Sequence, residues 1–186
     1  MDTEAEIMAL RLDIEPLLGS ETIKKRVEEL AHEITTDFGK GEFVLIGVLN
    51  GSFIFLADLM RALYVVGARC IVDFVAIESY GLDVVPGEIE VLKEPRLILG
   101  GKRVLIVEDI LDRGNTIANV REMLLKHGPK EIRTCVLLSK DCERDVFVDV
   151  HYVGFKIKED DHVVGYGLDY SLRFRQLPYI GVIHGL

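Results

Sequence analysis

Apolar residues recur along this chain in two rhythms, and the rhythms divide it into elements. Ile23, Val27, Leu30, Ala31 and Ile34 lie at the spacing of one helix face, with charges between them. Ser20 stands where an N-cap is expected, and Gly39 and Gly41 bracket the end of that helix. Other apolar runs are short and do not alternate, at residues 42–48, 70–77, 104–107 and 132–138. Unbroken runs of that length predict strands buried on both faces, as in a parallel sheet. Between them, residues 53–64 read as a helix after the turn Asn50-Gly51-Ser52. Ile117, Val120, Met123 and Leu124 mark another, which stops at Gly128-Pro129.

The rest of the chain is less regular. Residues 1–19 show little pattern and read as a lead-in. Residues 79–90 contain Tyr80-Gly81 and Pro86-Gly87 and read as a mobile loop or hairpin. Residues 90–99 predict an edge strand interrupted by Pro95. Residues 148–157 give a broken strand, and 163–168 and 179–183 give two short ones. Alternating strands and helices with no repeat or linker predict one doubly wound α/β domain over 1–186. The C-terminal third is expected to form a small cap over it.

Composition narrows the function. The 186 residues are 49% hydrophobic, enough for one α/β domain with a small addition. A formal net charge of -9 argues against non-specific nucleic-acid binding, which needs a basic surface. Three cysteines, Cys70, Cys135 and Cys142, are an odd number, and two lie in apolar runs. That fits a reduced, cytoplasmic setting better than a disulfide framework. No apolar run is long enough to span a membrane, and the acidic start Met-Asp-Thr-Glu-Ala-Glu is no signal peptide.

The chemistry gathers at residues 104–117. Three carboxylates, Glu108, Asp109 and Asp112, follow the apolar strand, and the turn Arg113-Gly114-Asn115-Thr116 leads into a helix. Ligands of parallel sheets bind past the carboxyl ends of strands, and a helix start offers free N–H groups to a phosphate. The local reading is a sugar-phosphate site, with acids for hydroxyls or a metal. Asp112 also suits a helix N-cap.

This segment resembles the phosphoribosyl-pyrophosphate (PRPP) signature of the type I phosphoribosyltransferases. Leu49-Asn50-Gly51-Ser52, Ser79-Tyr80-Gly81, residues 137–140, and residues 163–170 followed by Arg175 resemble the hypoxanthine-guanine branch, in that family's order. The resemblance covers residues 42–183. It implies a type I phosphoribosyltransferase fold, with a central, mainly parallel sheet flanked by helices. A small hood would come from the C-terminal third and part of the N-terminus. It implies purine salvage: a purine and PRPP give a nucleoside 5′-monophosphate and pyrophosphate, with Mg²⁺.

The resemblance also implies roles. Glu108 and Asp109 hold the ribose hydroxyls or the metal on them, and Asp112 is the general base near purine N7. Arg113, Gly114, Asn115 and Thr116 cradle the 5′-phosphate. Asn50, Gly51 and Arg175 bind pyrophosphate, and the Leu49–Asn50 peptide is cis. Ser79 and Tyr80 start a loop that closes over the site. Lys140 donates to the 6-oxo group of hypoxanthine or guanine. His162 and Val163 contact the purine, and Asp169 is a Mg²⁺ ligand on the pyrophosphate. A homodimer or homotetramer is implied too.

The chain departs from the family at His162, where an aromatic ring usually stacks on the base. The preceding Lys158-Glu159-Asp160-Asp161 is more acidic than the family pattern and one residue longer. Asp160 and Asp161 are expected to disfavour xanthine, which is partly anionic near neutral pH. Two rival readings share the fold. One is a transferase for xanthine or another base. The other is a PRPP-sensing regulator that binds nucleic acid, which the missing basic face opposes.

Overall fold

The computed structural model describes residues 13–79 and 89–185. Its main sheet has six strands in the order β4-β3-β2-β5-β6-β7. These are β2 (Phe43–Leu49), β3 (Cys70–Ser79), β4 (Ile89–Lys93), β5 (Arg103–Leu111), β6 (Glu131–Asp141) and β7 (Tyr152–Lys158). All neighbours run parallel except β3 and β4, which form an antiparallel edge. Three helices, α1 (Ser20–Phe38), α2 (Phe53–Val65) and α3 (Asn115–Leu125), join and cover the strands.

The unbroken apolar runs are buried on both faces, as their lack of alternation predicts. Leu45, Leu105, Val107 and Leu137 face one core layer with α1 and α2. Val44, Ile46, Val104 and Ile106 face the other with α3. The face of α1 carries Ile23, Val27, Leu30, Ala31, Ile34 and Phe38 inward. Fully burying one such large side chain contributes about 1.5–3 kcal/mol. Ser20 is the first helical residue rather than the cap. Gly19 holds that position in extended backbone, and its carbonyl accepts from Ile23 N. Gly39 ends the helix at φ 63, where a side chain would be strained.

A second sheet has three antiparallel strands in the order β1-β9-β8. β1 (Asp13–Leu18), β8 (Val163–Val164) and β9 (Ile180–His184) form it. The expected lead-in is therefore partly wrong, because residues 13–18 pair with β9. Pairing to a distant strand rules there, in a segment too short and mixed to show a period. The strand expected at 163–168 is cut to two residues. Gly165, Tyr166 and Gly167 have φ 93, 51 and 103, which no strand accommodates. The broken strand expected at 148–157 begins only at Tyr152. Of the loop or hairpin expected at 79–90, residues 80–88 lie outside the described residues; on either side of them Ser79 pairs with Ile89. The edge strand expected at 90–99 stops at Lys93, before Pro95.

Candidate active site

The carboxyl ends of β2, β5 and β6 meet the second sheet, and the signature residues gather there. Glu108 and Asp109 lie near the end of β5 and are both buried. Glu108 Oε2 has no hydrogen-bond partner. Burial, and then the neighbouring Asp109 charge, push the Glu108 carboxyl well above its ordinary value. Burial also raises Asp109, although Ile110 N donates to its Oδ1 at 2.8 Å and the Arg175 charge opposes the rise.

Against Asp109 sits the turn after β2. The Leu49–Asn50 peptide is cis. A Cβ on Gly51 would collide with the Asp109 carboxylate, so a side chain there would have to displace it. A Cβ on Gly167 would in turn strike the Gly51 carbonyl. Asp109, Gly51 and Gly167 therefore interlock, and the second sheet's turn is seated on the first sheet's loop. Tyr166 fixes the same turn from outside, its hydroxyl donating to Asp58 Oδ2 of α2 at 2.7 Å. Arg175 Nη1 donates to the Gly167 carbonyl at 2.6 Å, and Nη2 lies 2.8 Å from Asp169 Oδ1. Asp169 Oδ2 accepts from Leu172 N at 2.7 Å. The carboxylates Glu108, Asp109 and Asp169 do not form one three-ligand cluster among the described residues.

The phosphate turn follows β5. Gly114, at φ 94, is the N-cap of α3, and its carbonyl accepts from Ala118 N. Asp112 is therefore not the cap. Its side chain belongs instead to the cleft, because glycine at 114 already makes the left-handed turn into the helix. The N–H groups of the first turn of α3, from Asn115 and Thr116 on, have no acceptor within the helix and are placed for an anion. The Arg113 side chain turns away from this cradle. Its Nη1 donates to the Glu143 carbonyl at 2.9 Å and its Nη2 to Glu159 Oε1 at 2.8 Å. Asn115 Nδ2 donates to Asp145 Oδ2.

Beside the turn is a pocket of about 310 Å³, lined in part by Asp112, Lys140, Asp161, His162 and Val163. Its volume is at the low end for small-molecule sites. Lys140 is the penultimate residue of β6, which runs beyond the apolar stretch 132–138 to Asp141. Its Nζ is 3.5 Å from Asp112 Oδ2 and donates to the Glu159 carbonyl at 3.0 Å. His162 is exposed; its Nδ1 lies 3.1 Å from the Asp160 carbonyl. Asp161 Oδ2 accepts from Lys158 N, which closes the lengthened acidic turn. Asp161 reaches the pocket, whereas Asp160 meets His162 through its main chain. Val163 pairs with Val182 in the second sheet. Tyr80 lies outside the described residues, and Ser79 ends β3. A larger groove of about 770 Å³ between α1 and α2 contains none of the signature carboxylates.

Two neighbours escaped the sequence reading. Cys142 Sγ lies 3.4 Å from Asp112 Oδ1, and Arg144 bonds the main chain around Asp112 and Lys140. Residues 142–145 have no periodicity, and the acceptors of Arg144 are mostly carbonyls, so no side-chain pattern marks them.

Comparison with known proteins agrees with this geometry. The phosphoribosyl transferase domain family matches residues 14–171. A hypoxanthine phosphoribosyltransferase of Salmonella typhimurium is 43% identical over 173 residues, covering 91% of this chain and 95% of that protein. A hypoxanthine-guanine phosphoribosyltransferase of Dictyostelium discoideum is 38% identical, covering 90% and 93%. Among solved structures, a hypoxanthine-guanine phosphoribosyltransferase of Bacillus anthracis superposes with a TM-score of 0.85 at 38% identity, covering 91% and 99%. Family match, whole-length similarity and the cleft's residues agree: the chain belongs to the phosphoribosyltransferases, within their hypoxanthine-guanine branch.

Proposed function

We propose that this chain transfers the 5-phosphoribosyl group of PRPP to hypoxanthine and guanine. The products are IMP or GMP and pyrophosphate, in a purine-salvage reaction. The observation that carries the reading is the pairing of Asp112 with Lys140 in the wall of a pocket that Asp109 and Asp169 also line. A 6-oxopurine presents N7 and the 6-oxygen on one edge. Asp112 takes the N7 proton, and Lys140 donates to the 6-oxygen. Adenine offers a 6-amino donor there and is disfavoured. With the proton removed, the purine N9 attacks ribose C1 as the C1–O bond to pyrophosphate breaks.

Glu108 and Asp109 bind the ribose hydroxyls. Amides at the start of α3 and the Thr116 hydroxyl hold the 5′-phosphate, and Asn50, Gly51 and Arg175 receive pyrophosphate. The donor set fits Mg²⁺, because Glu108 Oε2 is buried without a partner beside a second buried carboxylate. Glu108 and Asp109 would hold it on the ribose side, and Asp169 on the pyrophosphate side. There it would offset the negative charge of the departing pyrophosphate.

The whole chain, residues 1–186, is proposed to work as one domain in the cytoplasm, as a homodimer or homotetramer. Among the described residues, no helix is long and apolar enough to cross a membrane. The deciding experiment incubates the protein with PRPP and Mg²⁺ and compares hypoxanthine, guanine, xanthine and adenine. Turnover of the first two is expected. No turnover of any base would break the reading. Xanthine with kcat/KM equal to that of hypoxanthine at neutral pH would remove the part assigned to the acidic turn.

A further inference from the structure

Strands β5 and β6 stay paired as far as Leu111 and Ser139. Asp112 and Lys140 are the next residues, one step past that last rung. Arg144 takes over where the ladder stops. Its Nη1 donates to the Asp112 carbonyl and, at 3.3 Å, to the Leu111 carbonyl. Its Nη2 donates to the Lys140 carbonyl at 2.6 Å and to Ser139 Oγ at 3.0 Å. One planar guanidinium thus spans both strand ends. Nη1 also meets Cys142 Sγ at 3.1 Å, and that sulfur contacts the Asp112 carboxylate.

Neighbouring bonds fasten the 143–145 segment without the Arg144 side chain. Arg113 Nη1 donates to the Glu143 carbonyl, Asp145 N to the Arg113 carbonyl, and Asn115 Nδ2 to Asp145 Oδ2. The phosphate turn is therefore latched independently. What Arg144 alone supplies is the tie between the Asp112 and Lys140 main chains.

We infer that Arg144 is a positioning residue for the purine half of the reaction, setting the separation of Asp112 and Lys140. The inference rests on the roles proposed above for those two residues. A purine edge has a fixed spacing between N7 and the 6-oxygen, so both groups must be held to match it. Displacements of an ångström are costly in such an arrangement. Lysine cannot replace the fork, because a point ammonium does not bridge two separated carbonyls in one plane.

Steady-state kinetics of Arg144→Ala and Arg144→Lys test this. In both, KM for hypoxanthine should rise and kcat fall, by about tenfold or more together, as expected for lost charge-assisted bonds. KM for PRPP should stay within about twofold, since the phosphate turn keeps its own ties. Added guanidinium ion should restore part of the lost rate to Arg144→Ala and none to Asp112→Asn. Equal changes in both KM values, no change, or full recovery with lysine would each overturn the inference. If the alanine variant does not fold, the lysine variant carries the same comparison. A wild-type protein that turns over no base breaks the functional reading itself. Active wild type with an unaffected variant breaks only the role of Arg144.

Discussion

Lys140 Nζ lies 3.5 Å from Asp112 Oδ2, with the ammonium largely buried and the carboxylate half exposed. Each group therefore has a partner before any base binds. In the proposed reaction a 6-oxopurine presents one edge to both, giving its N7 proton to Asp112 and accepting a hydrogen bond from Lys140 at its 6-oxygen. Asp112→Asn keeps the shape but removes the base. It should lower kcat by about 10²–10⁴-fold, with little change in KM for PRPP. Lys140→Met should instead narrow the preference for hypoxanthine over adenine, measured as the ratio of kcat/KM values.

His162 occupies the place of the family's stacking ring, and its Nδ1 is near the Asp160 carbonyl. If the imidazole lies on the purine, His162→Phe keeps activity. His162→Ala should raise KM for the base about fivefold or more, in line with one lost base–ring stack. An alanine variant with wild-type KM would assign the histidine to the turn alone.

Gly51 has no space for a side chain because the Asp109 carboxylate fills it. Gly51→Ala should displace either the turn or the carboxylate. The expected result is a loss of about 10²-fold in kcat/KM for PRPP. Its circular dichroism should match the wild type, which separates local displacement from unfolding.

Asp73 links β3 to the segment after β4. Its carboxylate accepts from Phe74 N at 2.8 Å, Leu97 N at 3.0 Å and Lys93 Nζ at 3.1 Å, and from Arg96 N. Burial acts to raise its pKa, but these donors outweigh it and hold the carboxyl below its ordinary value. A depressed carboxyl contributes stability that is complete above its unfolded pKa and is lost as pH falls through the folded one. Asp73→Asn should therefore cost about 1–3 kcal/mol at neutral pH. Urea melts of the two proteins should converge in acid, once Asp73 is protonated. A gap that stays constant with pH would count against this account.

Much of the cleft was legible in the sequence, for identifiable reasons. The run from Val104 to Val107 shows its burial directly, since no alternation means no solvent face. Gly114 and the acids before it mark a strand end, a turn and a helix start in consecutive positions. β1 was not legible, because its register depends on β9 at the far end of the chain. The side-chain partner of Arg113 was not legible for a similar reason. Its place in the motif says nothing of Glu159, 46 positions away, which takes its guanidinium. Arg144 was invisible because main-chain carbonyls carry no residue code.

The antiparallel pairing of Asp13 with His184 has a consequence for how the molecule is made. During synthesis the chain emerges N-terminus first, and β1 must wait for β9. The phosphate turn can form as soon as β5 and α3 are out, from contacts local in sequence. The turn carrying Asp169 and Arg175 settles only when the last strand arrives. The part of the cleft proposed for the sugar phosphate is thus assembled early, and the part proposed for pyrophosphate, with Asp169 and Arg175, is completed last. A chain halted before β9 has the phosphate turn, Asp112 and Lys140, but no seat for the turn that carries Asp169 and Arg175.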